Sequence, residues 1–260
     1  MTNKKQGMNA PFSYFGGKSR LAKTIIELIP THKTYAEVFG GAAWILFKKP
    51  PVSLEALNDL DKYLMNFYRV TKHHMAALID EVITLQPGRD IFYMLRDDLE
   101  RPTLTDIQKA AIYYYLQRFA FCGRPNKPTL DVSPGRIPNF RPELARRVLP
   151  LVAERLKSVM LENLPWDRFI KLYDSADTFF FIDPPYIGHN EYRHNFIADD
   201  FNQLADVLNN LKGKFLMTHS DTPQIRSLFK DCNMEPVQVG YCASHGKGKA
   251  TGQELLIRNY

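Results

Sequence analysis

The sequence predicts an α/β fold: a mostly parallel sheet closed by an antiparallel terminal strand pair, interrupted by a mainly helical insertion. Three observations carry that prediction. Strand-length apolar runs alternate with helical periodicity at both ends of the chain. Two of these runs stop abruptly at turn-forming residues, Gly40 and Gly41 in one case and Pro184 and Pro185 in the other. Between about residues 75 and 166 the rhythm gives way to patchy helix broken by Pro125, Pro128, Pro134, Pro138 and Pro142.

In chain order, residues 34–39 are β-prone and residues 42–49 read as helix as far as Pro50 and Pro51. Residues 52–57 form a second strand candidate. A helix follows over about 60–72, with Leu60, Leu64, Phe67 and Tyr68 at helical spacing. The insertion is helical in patches, residues 107–120 being a good candidate, and reads as a small helical subdomain plus an irregular loop or hairpin. Residues 178–182, Thr-Phe-Phe-Phe-Ile, form the unbroken apolar run of a strand buried on both faces. Residues 201–211 have helical period, and 214–218 read as another buried strand. Residues 236–241 and 254–259 form the terminal pair around a Gly/Lys/Ser-rich loop, 244–252.

Composition bounds the function. A chain of 260 residues makes one large domain or one and a half ordinary ones. No run of 18 apolar residues exists, so no membrane span is expected. Residues 1–9 are polar and basic, unlike a secretory signal. Cys122, Cys232 and Cys242 are odd in number and widely spaced. They give neither a disulfide framework nor a zinc pattern, and suit buried thiols in a reducing cytoplasm. The net charge is +6, and residues 118–157 alone hold nine Lys/Arg against three Asp/Glu. That cluster is either a solvated basic face or a surface for a polyanion.

The motifs narrow the chemistry. Glu37, Val38, Phe39, Gly40 and Gly41 end the first strand, where glycines permit a tight turn and a close ligand approach. Asp59 lies 19 positions after Gly40, at the end of the second strand. In nucleoside-binding α/β folds an acidic residue at that distance accepts hydrogen bonds from ribose hydroxyls. Asn58 or Asp61 could serve equally, and a helix N-cap is the structural alternative. Asp183, Pro184, Pro185 and Tyr186 follow the buried strand directly. The two prolines stiffen the backbone and remove two N–H donors, leaving carbonyl acceptors. With the Asp183 carboxylate and the Tyr186 ring they suit a planar base bearing an NH2 group. Alignment of that nitrogen against an electrophilic methyl needs neither metal nor covalent nucleophile.

Together these motifs resemble the Dam-like adenine-specific DNA methyltransferases, in the family's order and over nearly the whole length. Tyr14, Phe15, Gly16, Gly17 and Lys18 are similar to the family's aromatic-x-Gly-Gly-Lys motif, and residues 37–42 to its methionine-binding turn. Asn58 and Asp59 match the ribose position, residues 181–186 the catalytic motif, and residues 214–221 and 254–260 the closing strands. The resemblance implies a Rossmann-like methyltransferase sheet over residues 10–74 and 167–260, with residues 75–166 as an inserted DNA-recognition subdomain. It implies S-adenosylmethionine as methyl donor and N6 of adenine as acceptor, in double-stranded DNA with the target base flipped out. Tyr14, Lys18, Phe39, Gly40, Asp59 and Asp183 would hold the cofactor. Asp183, Pro184, Pro185 and Tyr186 would be catalytic. Arg118, Arg124, Asn126, Lys127, Arg136, Arg146 and Arg147 would contact DNA, to phosphate or to base. Residues 118–126 and 130–136 match the family's recognition hairpin only in part, so no target sequence follows. His189 and His194 receive no role, and the loop His245, Gly246, Lys247, Gly248, Lys249 either touches DNA, closes over the site or is surface loop. Within the enzyme class the alternative is an RNA adenine or other amino group. In another class it is a nucleic-acid-binding protein on a non-catalytic core.

Overall fold

The computed structural model describes residues 7–132, 140–187, 191–240 and 251–260. Its centre is a seven-stranded sheet of β1 (Thr34–Glu37), β2 (Leu54–Asn58), β3 (Val159–Glu162), β4 (Thr178–Ile182), β5 (Lys214–Ser220), β6 (Asn233–Gly240) and β7 (Thr251–Arg258). The spatial order is β3-β2-β1-β4-β5-β7-β6. β1 to β5 run parallel, and β7 pairs antiparallel with both β5 and β6. The parallel body and antiparallel end are those expected from the sequence. The strand order reverses between β1 and β4, which places a crevice at their carboxyl ends.

Alternation along each strand sorts the core into two layers. Tyr35, Leu57, Phe179, Phe181, Leu216 and Leu256 face one cluster; Ala36, Ala56, Phe180, Ile182, Met217 and Leu255 face the other. The first face carries α1 (Ala22–Leu28), α2 (Trp44–Lys48), α3 (Lys62–His73), α4 (Met75–Thr84), α5 (Arg89–Asp98), α6 (Asp106–Phe119) and α7 (Pro142–Leu156). The second carries α8 (Trp166–Tyr173), α9 (Ala198–Asn209) and α10 (Pro223–Leu228). Local signals explain the helix starts. Asp61 caps α3 by accepting from the Tyr63 and Leu64 amides, Thr105 and Gln108 form a capping box on α6, and Pro142 opens α7. Among the described residues no helix is long and apolar enough to cross a membrane.

The edge strand β3 differs from the sequence expectation. Val159–Glu162 is a sheet strand, paired in parallel with β2, inside the stretch expected to be helical or irregular. It is four residues long, at the sheet edge, with only Val159 fully buried, so it lacks both the alternation and the apolar run that mark a strand. The helices α4 to α7 share an apolar cluster with α3 and the sheet. Leu78, Phe92, Tyr113 and Leu149 join the same apolar cluster as Phe67 of α3 and Phe179 of the sheet. After α6 the chain turns back as a narrow hairpin, in which Phe121 N–H donates to Thr129 O and Asp131 N–H to Phe119 O. Cys122 and Cys232 are half-buried rather than buried, and neither is in a disulfide; Cys242 lies outside the described residues.

Candidate active site

The crevice at the β1/β4 switch point opens into a cleft. Its wall is contributed by Tyr14 and Lys18 before α1, by the turn after β1, by Asp59 after β2, by Asp183 and Pro185 after β4, and by Tyr192, His194 and Phe196 before α9.

The turn after β1 is tight because its glycines are crowded. A Cβ on Gly40 would stand 2.8 Å from Leu57 Cδ1 and 3.0 Å from Asn58 O. Gly41 has φ +48°, a left-handed conformation that favours glycine. Its N–H donates to Asp59 Oδ2 at 2.9 Å, and its carbonyl accepts from the Tyr68 hydroxyl at 2.8 Å. The three acidic or amide candidates after β2 now separate. Both ends of the Asn58 amide are engaged, Nδ2 on Val38 O and Leu164 O, and Oδ1 with Leu164 N–H. Asp61 is the cap of α3 and meets Arg193 at 3.7 Å. Asp59 is pinned by backbone alone, Gly41 N–H on Oδ2 and Asp61 N–H on Oδ1, which leaves carboxylate acceptor capacity toward the cleft. Burial pushes its pKa up to about 6.

At the other end of the cleft, Lys18 is buried (6 % exposed). Its ammonium lies 2.8 Å from Asp183 Oδ1 and donates to Gly16 O at 2.7 Å. Burial alone would lower the Lys18 pKa, but Asp183, Glu254 and Tyr192 outweigh it and hold the group above its ordinary value. Thr218 of β5 donates to the same Asp183 Oδ1 at 2.6 Å. Pro184 and Pro185 are buried. The Tyr186 ring packs on His219, with centroids 4.5 Å apart, and Lys18 Nζ lies 5.0 Å from its centre. Glu254 of β7 is buried beneath this group; burial raises its pKa, Lys18 opposes that, and Asp183 adds to it. Between the two ends stands Glu37, which accepts from the Tyr35 hydroxyl at 2.6 Å and from Leu46 N–H at 3.1 Å. Burial pushes its carboxyl up to about 8. Tyr14 packs over Gly41, and burial with Asp59 and Asp61 keeps its hydroxyl well above the ordinary phenol range. Phe39 meets Phe196 edge to face at 5.3 Å, with Trp166 behind Phe196.

This lining fits a nucleoside with a charged tail. A carboxylate is positioned for vicinal hydroxyls, an aromatic corner for a purine, and a glycine turn for close approach of the chain. Among the described residues no group of three or more His, Cys, Asp or Glu is placed to hold a metal ion.

A family model for D12 class N6 adenine-specific DNA methyltransferases matches residues 14–241. The chain belongs to that family. The matched region contains every site residue named above except Glu254. A curated relative, the Type II methyltransferase M.MjaIII of Methanocaldococcus jannaschii, is 25 % identical over 96 % of this chain and 99 % of its own length. The crystal structure of SMU.472 complexed with SAH is similar at a TM-score of 0.38 and 13 % identity. That match covers 99 % of this chain and 55 % of the other. This D12 enzyme methylates N6 of adenine in DNA, with S-adenosylmethionine as methyl donor.

All six residues expected at the cofactor of this D12 enzyme line the one cleft: Tyr14, Lys18, Phe39, Gly40, Asp59 and Asp183. Of the expected catalytic four, Asp183 and Pro185 line it, while Pro184 and Tyr186 stand outside its wall. The expected DNA contacts scatter. Arg118 reaches inward to Pro11 O at 3.4 Å. Arg124 lies 3.6 Å from Glu191, whose carbonyl accepts from Asn126 N–H. Lys127 is exposed, as are Arg146 and Arg147 on α7. Arg136, His189 and the loop residues 245–249 lie outside the described residues, and His194 lines the cleft. Sequence reasoning assigned no role to Glu37, Tyr192, Thr218 or Glu254. Glu37 carried a signal, a carboxylate at the end of an otherwise apolar strand; Tyr192 carried none.

Proposed function

We propose that this D12 methyltransferase acts on adenines flipped out of double-stranded DNA, with the amino group received at Asp183, Pro184, Pro185 and Tyr186. The cofactor is held by Tyr14, Lys18, Phe39, Gly40, Asp59 and Asp183. The observation that carries the reading is that Asp183 and Asp59, from two different strand ends, line a single cleft at the sheet's switch point.

S-adenosylmethionine, when bound, supplies an electrophilic methyl on a sulfonium. The protein's part is alignment. The Asp183 carboxylate and the carbonyl of Pro184 offer acceptors to the two N–H groups of the adenine, turning the nitrogen lone pair out of conjugation and toward the methyl. Lys18 gives Asp183 a buried positive partner at 2.8 Å. His219 packs against the Tyr186 ring and fixes its orientation toward the extruded base. Asp59 would accept from the ribose hydroxyls of the bound cofactor, and Phe39 with Phe196 would border its purine. Residues 75–166 contribute DNA recognition through Arg124, Asn126 and Lys127 at the hairpin and Arg146 and Arg147 on α7. The enzyme works in the cytoplasm, where the cofactor and DNA meet.

The test is methyl transfer from labelled cofactor to unmethylated duplex DNA, followed by nucleoside analysis, for the wild type and Asp183→Ala. The wild type yields N6-methyladenine. The variant binds DNA but transfers nothing measurable; turnover retained in it would refute the assigned role.

A further inference from the structure

We infer that Thr218 is a positioning residue for methyl transfer: it commits one oxygen of the Asp183 carboxylate so that the other faces the substrate amino group. The inference rests on the reading of Asp183 as the acceptor for that amino group.

β5 lies beside β4 in register, Met217 opposite Ile182, so Thr218 stands next to the residue that follows β4. That residue is Asp183. The Thr218 side chain is fully buried, and its hydroxyl lies 2.6 Å from Asp183 Oδ1. An ionised carboxylate only accepts, so the hydroxyl is the donor. Lys18 Nζ reaches the same oxygen at 2.8 Å, from the segment before α1. An sp² oxygen has two lone pairs, and these two donors fill both. Oδ2 is then the oxygen left for a substrate N–H.

Two fixed donors on Oδ1, with Pro184 and Pro185 stiffening the backbone beyond it, stop the carboxylate from rotating. Rotation matters because the amino nitrogen must meet the methyl in line, and misplacement by about an ångström is costly. Packing does not require a hydroxyl here. Thr218 shares a sheet face with Leu216 and pairs with Leu256, so valine would satisfy strand preference and packing equally well. Among the described residues the one polar partner of the Thr218 side chain is Asp183.

The experiment compares wild type, Thr218→Val and Thr218→Ser in the full chain, with S-adenosylmethionine and unmethylated duplex DNA. Single-turnover methyl transfer, affinity for cofactor and DNA, and Tm are measured. Thr218→Val should slow transfer about tenfold, the scale of one charge-assisted hydrogen bond. Cofactor and DNA affinity should stay within about twofold, because Thr218 itself touches neither ligand. Thr218→Ser keeps the donor and should restore most of the rate. A valine variant as fast as wild type overturns the inference. So does a slowing that serine does not restore, or one expressed entirely as weaker binding. If the valine variant does not fold, Thr218→Ala takes its place with the same expectations. Asp183→Asn separates the two readings: if it turns over like wild type, the role of Asp183 fails. If it is inactive while Thr218→Val is unimpaired, only the role of Thr218 fails.

Discussion

Charged residues are handled in opposite ways at the strand ends and on the stretch from the last turn of α6 through α7. At the strand ends each one answers to a specific neighbour: Lys18 to Asp183, Asp59 to two backbone amides, Glu37 to Tyr35 and Leu46. On the later segments Arg146, Arg147 and Lys127 face solvent, while Arg118 and Arg155 are turned inward onto Pro11 O and onto Glu55 and Leu46 O. The first arrangement fixes geometry and tolerates little; the second provides a charged surface whose members are exchangeable. A cluster of nine basic residues in the sequence therefore overstates the free positive surface, because part of it holds the protein together.

The largest effect is expected at Lys18. Lys18→Met leaves Asp183 without its cation in a nearly closed site. Removing one partner of a buried pair typically costs about 3 kcal/mol, and less where the partner is partly hydrated, as Asp183 is here. Turnover should fall by more than about a hundredfold, since the carboxylate loses one of its two fixed donors and its counter-charge. Denaturant unfolding and single-turnover rates measure the two effects. A variant within a few-fold of the wild-type rate would erase the difference between the two regions.

Asp59 should come next. Asp59→Asn is expected to weaken cofactor binding about 10- to 100-fold, as removal of a charged acceptor for hydroxyls does. Its pKa, raised by burial to about 6, adds a second signature. Above pH 6 the carboxylate is ionised and accepts. As pH falls through 6 it takes up a proton, and cofactor affinity should drop in the wild type. In the Asn variant that step should be missing. Titration calorimetry from about pH 5 to 8 reads both. Equal pH dependence in the two proteins would remove Asp59 from the ribose position.

Much of this site was legible in the sequence, for a physical reason. Gly40, Asp59 and Asp183 each follow an apolar run directly, and parallel-sheet geometry puts all such positions at one edge. Local pattern could not show which residues stand behind them. Thr218 reaches Asp183 because β5 pairs with β4, and Glu254 joins them because β7 pairs with β5, each in a register that no short window encodes. The same holds for β3, whose partner β2 lies about a hundred residues away in the chain. Arg118, expected at DNA by type and location, sits in the last turn of a helix whose neighbours are buried, with its guanidinium 3.4 Å from Pro11 O, a contact that no local pattern announces.

Glu37 carries the same contrast into stability. Its folded pKa of about 8 lies above the ordinary 4.5, with burial the main cause. Between those values the unfolded chain holds fewer protons than the folded one, so stability falls as pH rises through that window. The slope for one such group is up to about 1.4 kcal/mol per pH unit, reduced where the site relaxes. Glu37→Gln cannot ionise and keeps an acceptor for Tyr35 and Leu46. Its unfolding free energy should lack this slope between about pH 6 and 8, and exceed that of the wild type above about pH 8. Parallel curves for the two proteins would show that Glu37 is ionised throughout.

The smallest effects belong to the basic surface, and there the two kinds of arginine can be told apart. Arg146→Ala with Arg147→Ala removes two solvent-facing charges from α7, whose opposite side, Ala145, Leu149 and Val152, is buried in the core. Affinity for duplex DNA should fall only a few-fold at moderate salt. The dependence of log affinity on log salt should flatten by about 0.9 for each phosphate no longer neutralised, and to the same degree for unrelated sequences. Arg118→Ala should do neither. Its guanidinium holds the chain at Pro11, ahead of Tyr14 and Lys18, so its removal should cost about 1 kcal/mol of stability and leave the salt slope intact. If the Arg118 variant flattens the slope while the α7 pair does not, the DNA path crosses the hairpin alone and α7 lies off it.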